Sequence, residues 1–160
     1  MTNIFNHYLK NNILPNSFFD FKVFVAPDAS ATHTEVLGAG KKHTLWVLKD
    51  EPSLEVILEK MLTAAKLDKL EDIFLLKILD NSPFALQHFI QSRAIRKVVF
   101  MGVSLPPLGI NLQFPHYQVV EVGKVQYLTS HSLSKLNEEP SLKRDLWAAI
   151  QALFELRASV

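Results

Sequence analysis

The chain has no cysteine, only five glycines and a formal net charge of +1 over its 160 residues. The lack of cysteine excludes disulfides, thiol catalysis and cysteine-ligated zinc within this sequence. A net charge near zero gives no electrostatic reason for broad nucleic-acid binding, which normally needs a basic face. No apolar run approaches the roughly 20 residues of a membrane-spanning helix, and the first residues lack the pattern of a signal peptide. These absences predict a cytoplasmic protein that does not contact a membrane.

The composition is that of a globular protein, because hydrophobic residues make up 48% of the chain and charged residues 21%. The length predicts one domain with a full core. We divide the chain into an N-terminal amphipathic segment at 1–20 and a single α/β domain at 21–160. The six histidines lack the spacing of metal ligands, so the sequence predicts neither a metal nor a cofactor.

A repeated strand–helix pattern occupies the middle of the chain. Strands of the buried type are predicted at 43–48, 73–79 and 97–101, and helices at 54–65 and 83–92. Alternation of this kind predicts parallel strands with right-handed crossovers and helices on both faces of the sheet. The sequence therefore predicts a three-layer α/β/α domain around a central, mainly parallel sheet of four or five strands.

The end of the chain is predicted as a strand, a polar loop and a closing helix. Further strands are predicted at 20–26, 117–122 and 124–128, and the closing helix opens at 138–141. The apolar residues of this helix recur with a 3.6-residue period; they are Leu142, Leu146, Trp147, Ile150, Leu153 and Phe154. Such a stripe must be buried against a large surface, and the simplest interpretation is a core helix.

Two apolar segments are candidates for partner binding. The segment 1–20 lies outside the repeated pattern, and it is either a helix packed on the core or a linear motif that docks in a partner's groove. Its anchors are Tyr8, Leu9, Ile13, Phe18 and Phe19. The second candidate is the proline-stiffened loop at 104–109, where Leu105 and Leu108 would expose apolar surface. The alternative for this loop is rigid packing over the sheet.

The last quarter of the chain has a distinctive order of residues: Ser130, Leu133, Leu136, Pro140, Leu146, Trp147 and Ile150. This order resembles the closing segment of the psi subunit family of the bacterial DNA polymerase III clamp loader. The resemblance extends in order over 43–154, with a looser match in the N-terminal segment. It implies a non-catalytic accessory subunit. Its partners would be the clamp-loader ATPase subunit and a chi-like subunit linked to single-strand-binding protein, so nucleic acid would be contacted only indirectly.

The same segment also resembles, more faintly, the last motif of the uracil-DNA glycosylase superfamily, which has a similar fold. That resemblance implies a flipped base held in a pocket, with Asp50 positioning water, Asn81 contacting the base edge and His131 stabilising the leaving group. All three residues follow predicted strands, where ligands bind in open α/β sheets.

These three residues also have structural interpretations, in which Asp50 and Asn81 are helix caps and His131 is a surface-loop residue. The sequence departs from the glycosylase pattern at 49–53, which contains no glycine. Catalytic activity therefore stays open, and the non-catalytic interpretation is preferred.

Overall fold

The computed structural model describes residues 35–79 and 83–156, and these residues form an α/β fold, as the repeated pattern predicted. The strands within these ranges are β1 (Glu35–Leu37), β2 (Thr44–Lys49), β3 (Ile73–Ile78), β4 (Lys97–Met101), β5 (Val119–Val122) and β6 (Val125–Ser130). The helices are α1 (Glu55–Ala64), α2 (Leu86–Ser92), α3 (Leu133–Glu138) and α4 (Pro140–Leu153). The predicted strand at 20–26 lies outside the described residues.

The described strands form one mixed sheet in the order β1-β3-β2-β4-β6-β5. The neighbours β3 and β2, β2 and β4, and β4 and β6 run parallel. The edge strands β1 and β5 pair antiparallel with β3 and β6. The described sheet therefore has six strands where the sequence predicted four or five, because the three-residue strand β1 lies in a stretch without a strand pattern.

The central strands are continuous apolar runs because both of their faces are covered. In β2 the five residues from Thr44 to Leu48 are all buried. Trp46 and Leu48 belong to one core cluster, and Leu45 and Val47 belong to another. Since successive side chains of a strand point to opposite faces, the two clusters lie on opposite sides of the sheet.

The helices are divided between these two clusters. Helices α1, α3 and α4 supply buried residues to the cluster of Trp46. Helix α2 and the short 3₁₀ turn Pro106–Leu108 supply residues to the cluster of Val47. The closing helix is confirmed, and it begins at Pro140, as expected for proline in the first turn of a helix. Its buried residues are Leu146, Ala149, Ile150 and Leu153.

The segment after β6, predicted as a polar loop, contains the six-residue helix α3. The Ser132 hydroxyl caps this helix by accepting a hydrogen bond from the Lys135 amide at 3.3 Å, a role that serine commonly has. The side chains of Leu133 and Leu136, which belong to this helix, are buried. The helix is too short for two apolar residues to show a helical period, so the sequence pattern did not reveal it.

The strands that follow β2 in the chain lie on both sides of it in the sheet, with β3 on one side and β4 on the other. Helix α1 carries the chain from β2 to β3 on one face of the sheet, and α2 carries it from β3 to β4 on the other. The chain segments that leave β2 and β4 therefore diverge and define a topological switch point. Ligands of open α/β proteins bind in the crevice at such a point.

Candidate functional site

The switch point in this protein is covered by the first turn of α3. Beside the end of β2, the Glu51 carboxylate accepts a hydrogen bond from the Ser134 amide at 3.1 Å. Beside the end of β4, Gly102 lies so close to Ser132 that an added Cβ would be 2.5 Å from the Ser132 Cα atom. The chain therefore holds its own backbone where an open α/β sheet usually holds a ligand.

The contact made by Glu51 also suits the electrostatics of the helix. The first amides of a helix lack intrahelical acceptors, and a negative charge near them is favourable. Glu51 is half-buried and satisfies one of these amides from a position 83 residues earlier in the chain. The carboxylate thus joins the loop after β2 to the helix that follows β6.

Asp50 takes part in an ion-pair cluster beside β3. Its Oδ1 atom lies 3.9 Å from the Lys77 Nζ atom, and Lys77 also lies 3.4 Å from Glu55. Glu55 forms a second ion pair with Lys69, and the hydrogen bond from Lys69 is the largest cause of its lowered pKa. The expectation that Asp50 caps the next helix was wrong, because α1 begins at Glu55, its N-cap residue is Leu54, and no side chain caps it.

Asn81 and the N-terminal anchors lie outside the described residues, so their roles stay predictions. The anchors concerned are Tyr8, Leu9, Ile13, Phe18 and Phe19. The proposed constellation of Asp50, Asn81 and His131 also stays a prediction, since one of its three members is not described.

His131 follows β6 and belongs to a cluster of three rings. Its Nδ1 atom is hydrogen-bonded to the Tyr117 hydroxyl, and its ring centroid is 4.4 Å from that of His116. The Tyr117 amide donates to the Thr129 carbonyl at 2.9 Å, while the Thr129 hydroxyl donates to the Pro115 carbonyl at 3.2 Å. These bonds hold the loop before β5 against the end of β6.

The surroundings of this ring cluster favour neutral side chains. Burial lowers the pKa of His131, and His116 and Lys135 lower it further, whereas Glu139 acts in the opposite direction. Burial raises the pKa of Tyr117, against the smaller effect of a hydrogen bond with the His131 backbone. Both groups are therefore neutral at neutral pH, and a neutral imidazole can accept the Tyr117 hydrogen at Nδ1.

The lowered pKa of His131 predicts that the free energy of unfolding falls in mild acid. A histidine binds a proton in the unfolded chain near its ordinary pKa of about 6.5, whereas folded His131 binds one only at lower pH. Stability should therefore be fully present above about pH 6.5 and decline from there towards the folded pKa. Urea unfolding over a pH series should show this decline, and His131→Gln should reduce it.

The matched control for this pH series is His88→Gln, which replaces an exposed histidine on α2. This variant should keep the pH dependence of the unmodified protein. Equal slopes for the His131 and His88 variants would contradict the prediction, since they would show that burial of His131 does not set the pH dependence.

A cleft of about 490 Å³ opens near the ring cluster, between the end of β4 and the loop that follows it. Its lining includes the aromatic rings of Phe100, Phe114 and His116. Ser130 also lines it, but its hydroxyl donates to the His131 carbonyl at 3.0 Å. Across residues 35–79 and 83–156, no group of three or more histidine, aspartate or glutamate side chains is placed to hold a metal ion.

The loop that carries Leu105 and Leu108 packs towards the sheet. Leu108 is 1% exposed and belongs to the core cluster on the α2 face, and Leu105 is half-buried against that cluster. The Phe84 amide donates to the Pro107 carbonyl at 3.2 Å, which ties the loop to the start of α2. The expectation that Leu108 is exposed was therefore wrong, because its side chain fills the core.

Sequence reasoning assigned no functional role to several residues that shape this region, namely Glu51, Gly102, His116 and Tyr117. Only Gly102 had a local signal, because a glycine directly after a buried strand often marks a close approach of two backbones. The others depend on contacts between distant parts of the chain. Tyr117 meets His131 through the pairing that places the Tyr117 amide on Thr129.

Among the described helices, none combines the length and the apolar character required to cross a membrane. No protein-family model matches the sequence, and no curated protein matches it.

Proposed function

We propose that this protein is a non-catalytic adaptor, a psi-like accessory subunit of the bacterial replicative clamp loader. The observation that carries the proposal is the covered switch point, where Glu51 binds Ser134 and Gly102 contacts Ser132. An enzyme of this architecture uses that crevice for its substrate. An adaptor has no such need and can use the same place to fasten its last helices to the sheet.

The proposal includes the three-layer α/β/α arrangement that the resemblance implies for psi-like proteins. Two observations support it: the two core clusters on opposite faces of the sheet, and the parallel pairing of β2 with both β3 and β4. In this arrangement the last two helices share one face with α1, which makes the closing segment a part of the body.

Each part of the chain has a role in the proposed assembly. The N-terminal segment docks on the ATPase subunit through its aromatic and aliphatic anchors, which have the spacing of groove-binding motifs. The body binds a chi-like subunit, which connects the clamp loader to single-strand-binding protein. The protein works in the cytoplasm and meets nucleic acid only through these partners.

The test is binding of the purified full-length protein to the clamp-loader ATPase subunit from the same organism, measured by calorimetry. We expect tight binding that weakens by at least about 100-fold when residues 1–20 are removed, because a few anchors carry most of the affinity in such interfaces. The double variant Phe18→Ala, Phe19→Ala keeps the chain length and should weaken binding in the same direction. Absence of binding by the full-length protein would contradict the proposal.

The glycosylase-like alternative is favoured by one observation, the aromatic cleft near His131 at the ends of β4 and β6. If it is correct, the protein forms abasic sites in uracil-containing single-stranded DNA, and Asp50→Asn or His131→Gln reduces their number. The adaptor proposal predicts that no abasic sites form. A gel assay after alkaline cleavage distinguishes the two functions.

A further inference from the structure

An apolar groove runs between α1 and α4 on the face of the sheet opposite α2. Its volume is about 400 Å³, and its apolar lining comes from Ile57 and Met61 of α1 and from Leu146, Trp147 and Ile150 of α4. Leu146 and Ile150 are buried at its base, whereas Ile57, Met61 and Trp147 are only half-buried. We refer to this feature as the α1–α4 groove.

The half-buried residues of the groove are suited to binding a protein segment. Tryptophan is enriched among the residues that carry most of the affinity at protein interfaces. Methionine adapts its shape to different apolar partners. Both residues lie on regular helices that are fixed to the sheet by buried neighbours. The groove is therefore formed before a partner arrives, and binding a partner requires little ordering of the groove's own side chains.

The charged residues that line the groove are both lysines, Lys60 and Lys143. Lys143 donates a hydrogen bond to the Asn137 side chain at 3.3 Å. Within the two described ranges, no carboxylate forms an ion pair with either lysine, whereas Glu55 and Glu59 of α1 both pair with Lys69. The acids Glu55 and Glu59 of α1 are therefore engaged in ion pairs elsewhere, and the charged side chains that line the groove are both positive.

We propose that the α1–α4 groove binds an acidic amphipathic segment of a partner protein. The partner's apolar side chains contact Ile57, Met61 and Trp147, and its carboxylates pair with Lys60 and Lys143. An apolar floor between positive side chains is complementary to this class of segment, and such complementarity selects partners and speeds their association. The inference rests on the proposed adaptor function, which requires a second binding surface on the body.

The chain itself offers a poorer occupant for this groove. Within 1–34, Lys10 and Lys22 balance Asp20 and Asp28, so that stretch has no excess of negative charge. A second copy of the protein has a net charge of +1 and brings no acidic excess either. Charge complementarity therefore favours a different protein as the partner.

The experiment is a selection of random peptides displayed on phage against the full-length protein. In parallel, the same library is selected against the double variant Lys60→Glu, Lys143→Glu. We expect the unmodified protein to enrich peptides with regularly spaced apolar residues flanked by aspartate or glutamate. The strongest such peptide should shift the NMR signals of Ile57, Met61 and Trp147, and the double variant should weaken its binding by at least about tenfold.

The matched control is Arg96→Glu, Lys124→Glu, which changes the net charge equally at exposed residues of a different cleft. This variant should bind the selected peptide as the unmodified protein does. A variant with Lys60→Ala and Lys143→Ala tests the loss of charge without introducing acids and should also weaken binding. Far-UV circular dichroism on each variant verifies that its fold is kept.

Several results would overturn the inference. Enrichment of peptides without acidic residues would contradict the chemistry of the partner, and NMR shifts on another surface would contradict the site. Self-association that is lost in the Lys60, Lys143 double variant would assign the groove to a second copy.

The peptide selection uses no clamp-loader component, so its outcome is separate from that of the ATPase-binding test. Failure of the selection with intact ATPase binding would remove only the groove inference. Successful selection of acidic peptides without ATPase binding would remove only the clamp-loader assignment.

Discussion

Replacing Trp46 with alanine should lower the free energy of unfolding by about 3–5 kcal/mol, the usual cost of removing a large buried aromatic side chain. Trp46 lies in the middle of β2, is 0% exposed and packs in the cluster to which α1, α3 and α4 contribute. These helices cannot close the cavity without leaving other contacts with the sheet. Urea unfolding followed by far-UV circular dichroism measures the loss.

The matched control is Trp46→Phe, which keeps an aromatic ring at the same place. The indole Nε1 of Trp46 is buried and has no hydrogen-bond partner among the described residues. A buried N–H without a partner costs about 1–3 kcal/mol, and phenylalanine removes that cost while leaving a smaller cavity than alanine. We expect a loss below about 1.5 kcal/mol. Equal losses for the two variants would show that packing around the ring does not determine stability here.

The central strands and the closing helix could be predicted because burial leaves a local signature in the sequence. A strand covered on both faces must be apolar at successive positions, and β3 has that composition over Ile73–Ile78. A helix covered on one face shows a 3.6-residue period, and α4 follows it over fourteen residues. In both cases the residue types within one short stretch of the sequence are sufficient to predict the element.

The missed elements are those whose formation depends on distant residues. Strand β1 has three residues, two of them exposed, and it exists because Val36 pairs with Leu76 of β3. Helix α3 depends on the cap of Ser132 and on the Glu51 carboxylate, which lies far away in sequence. No short window of sequence contains these contacts.

The same limit applies to the candidate site. Asp50 was singled out because it follows a buried strand, yet its neighbour Glu51 makes the contact that covers the switch point. His131 was singled out for the same reason, and its partners His116 and Tyr117 are set by the position of the loop before β5. Sequence identifies which residues follow a strand, but packing above the sheet decides what they do.

The apolar stripe of α4 shows that a helical period does not by itself determine how exposed each residue of the stripe is. All of its apolar residues were interpreted as core, and Leu146, Ile150 and Leu153 are indeed buried. Trp147 lies on the same stripe but is only half-buried, because it lines the groove between α1 and α4. Periodicity identifies the apolar face of a helix, whereas the neighbouring helix determines how much of that face is left for a partner.

Gly102→Ala should lower the free energy of unfolding by about 3 kcal/mol. The φ angle of Gly102 is 65°, a left-handed conformation that costs other residues about 1–2 kcal/mol. Its new methyl group would lie 2.5 Å from the Cα and Cβ atoms of Ser132 and 2.7 Å from its nitrogen. Overpacking of this kind costs a further 1–3 kcal/mol or so. Since the contacted atoms are mostly backbone, relief requires displacement of α3.

Gly123→Ala is the matched control, because it introduces the same backbone strain without the contact to Ser132. Gly123 has the same φ of 65°, but no atom lies within 4 Å of an added Cβ. Its loss should be limited to about 1–2 kcal/mol, and the entropy lost by the unfolded chain is the same for both variants. The Gly102 variant should therefore be less stable by a further 1–3 kcal/mol or so, measured by urea unfolding. Equal stabilities would show that α3 does not press on the end of β4, and the covered switch point would then depend on the contact between Glu51 and Ser134 alone.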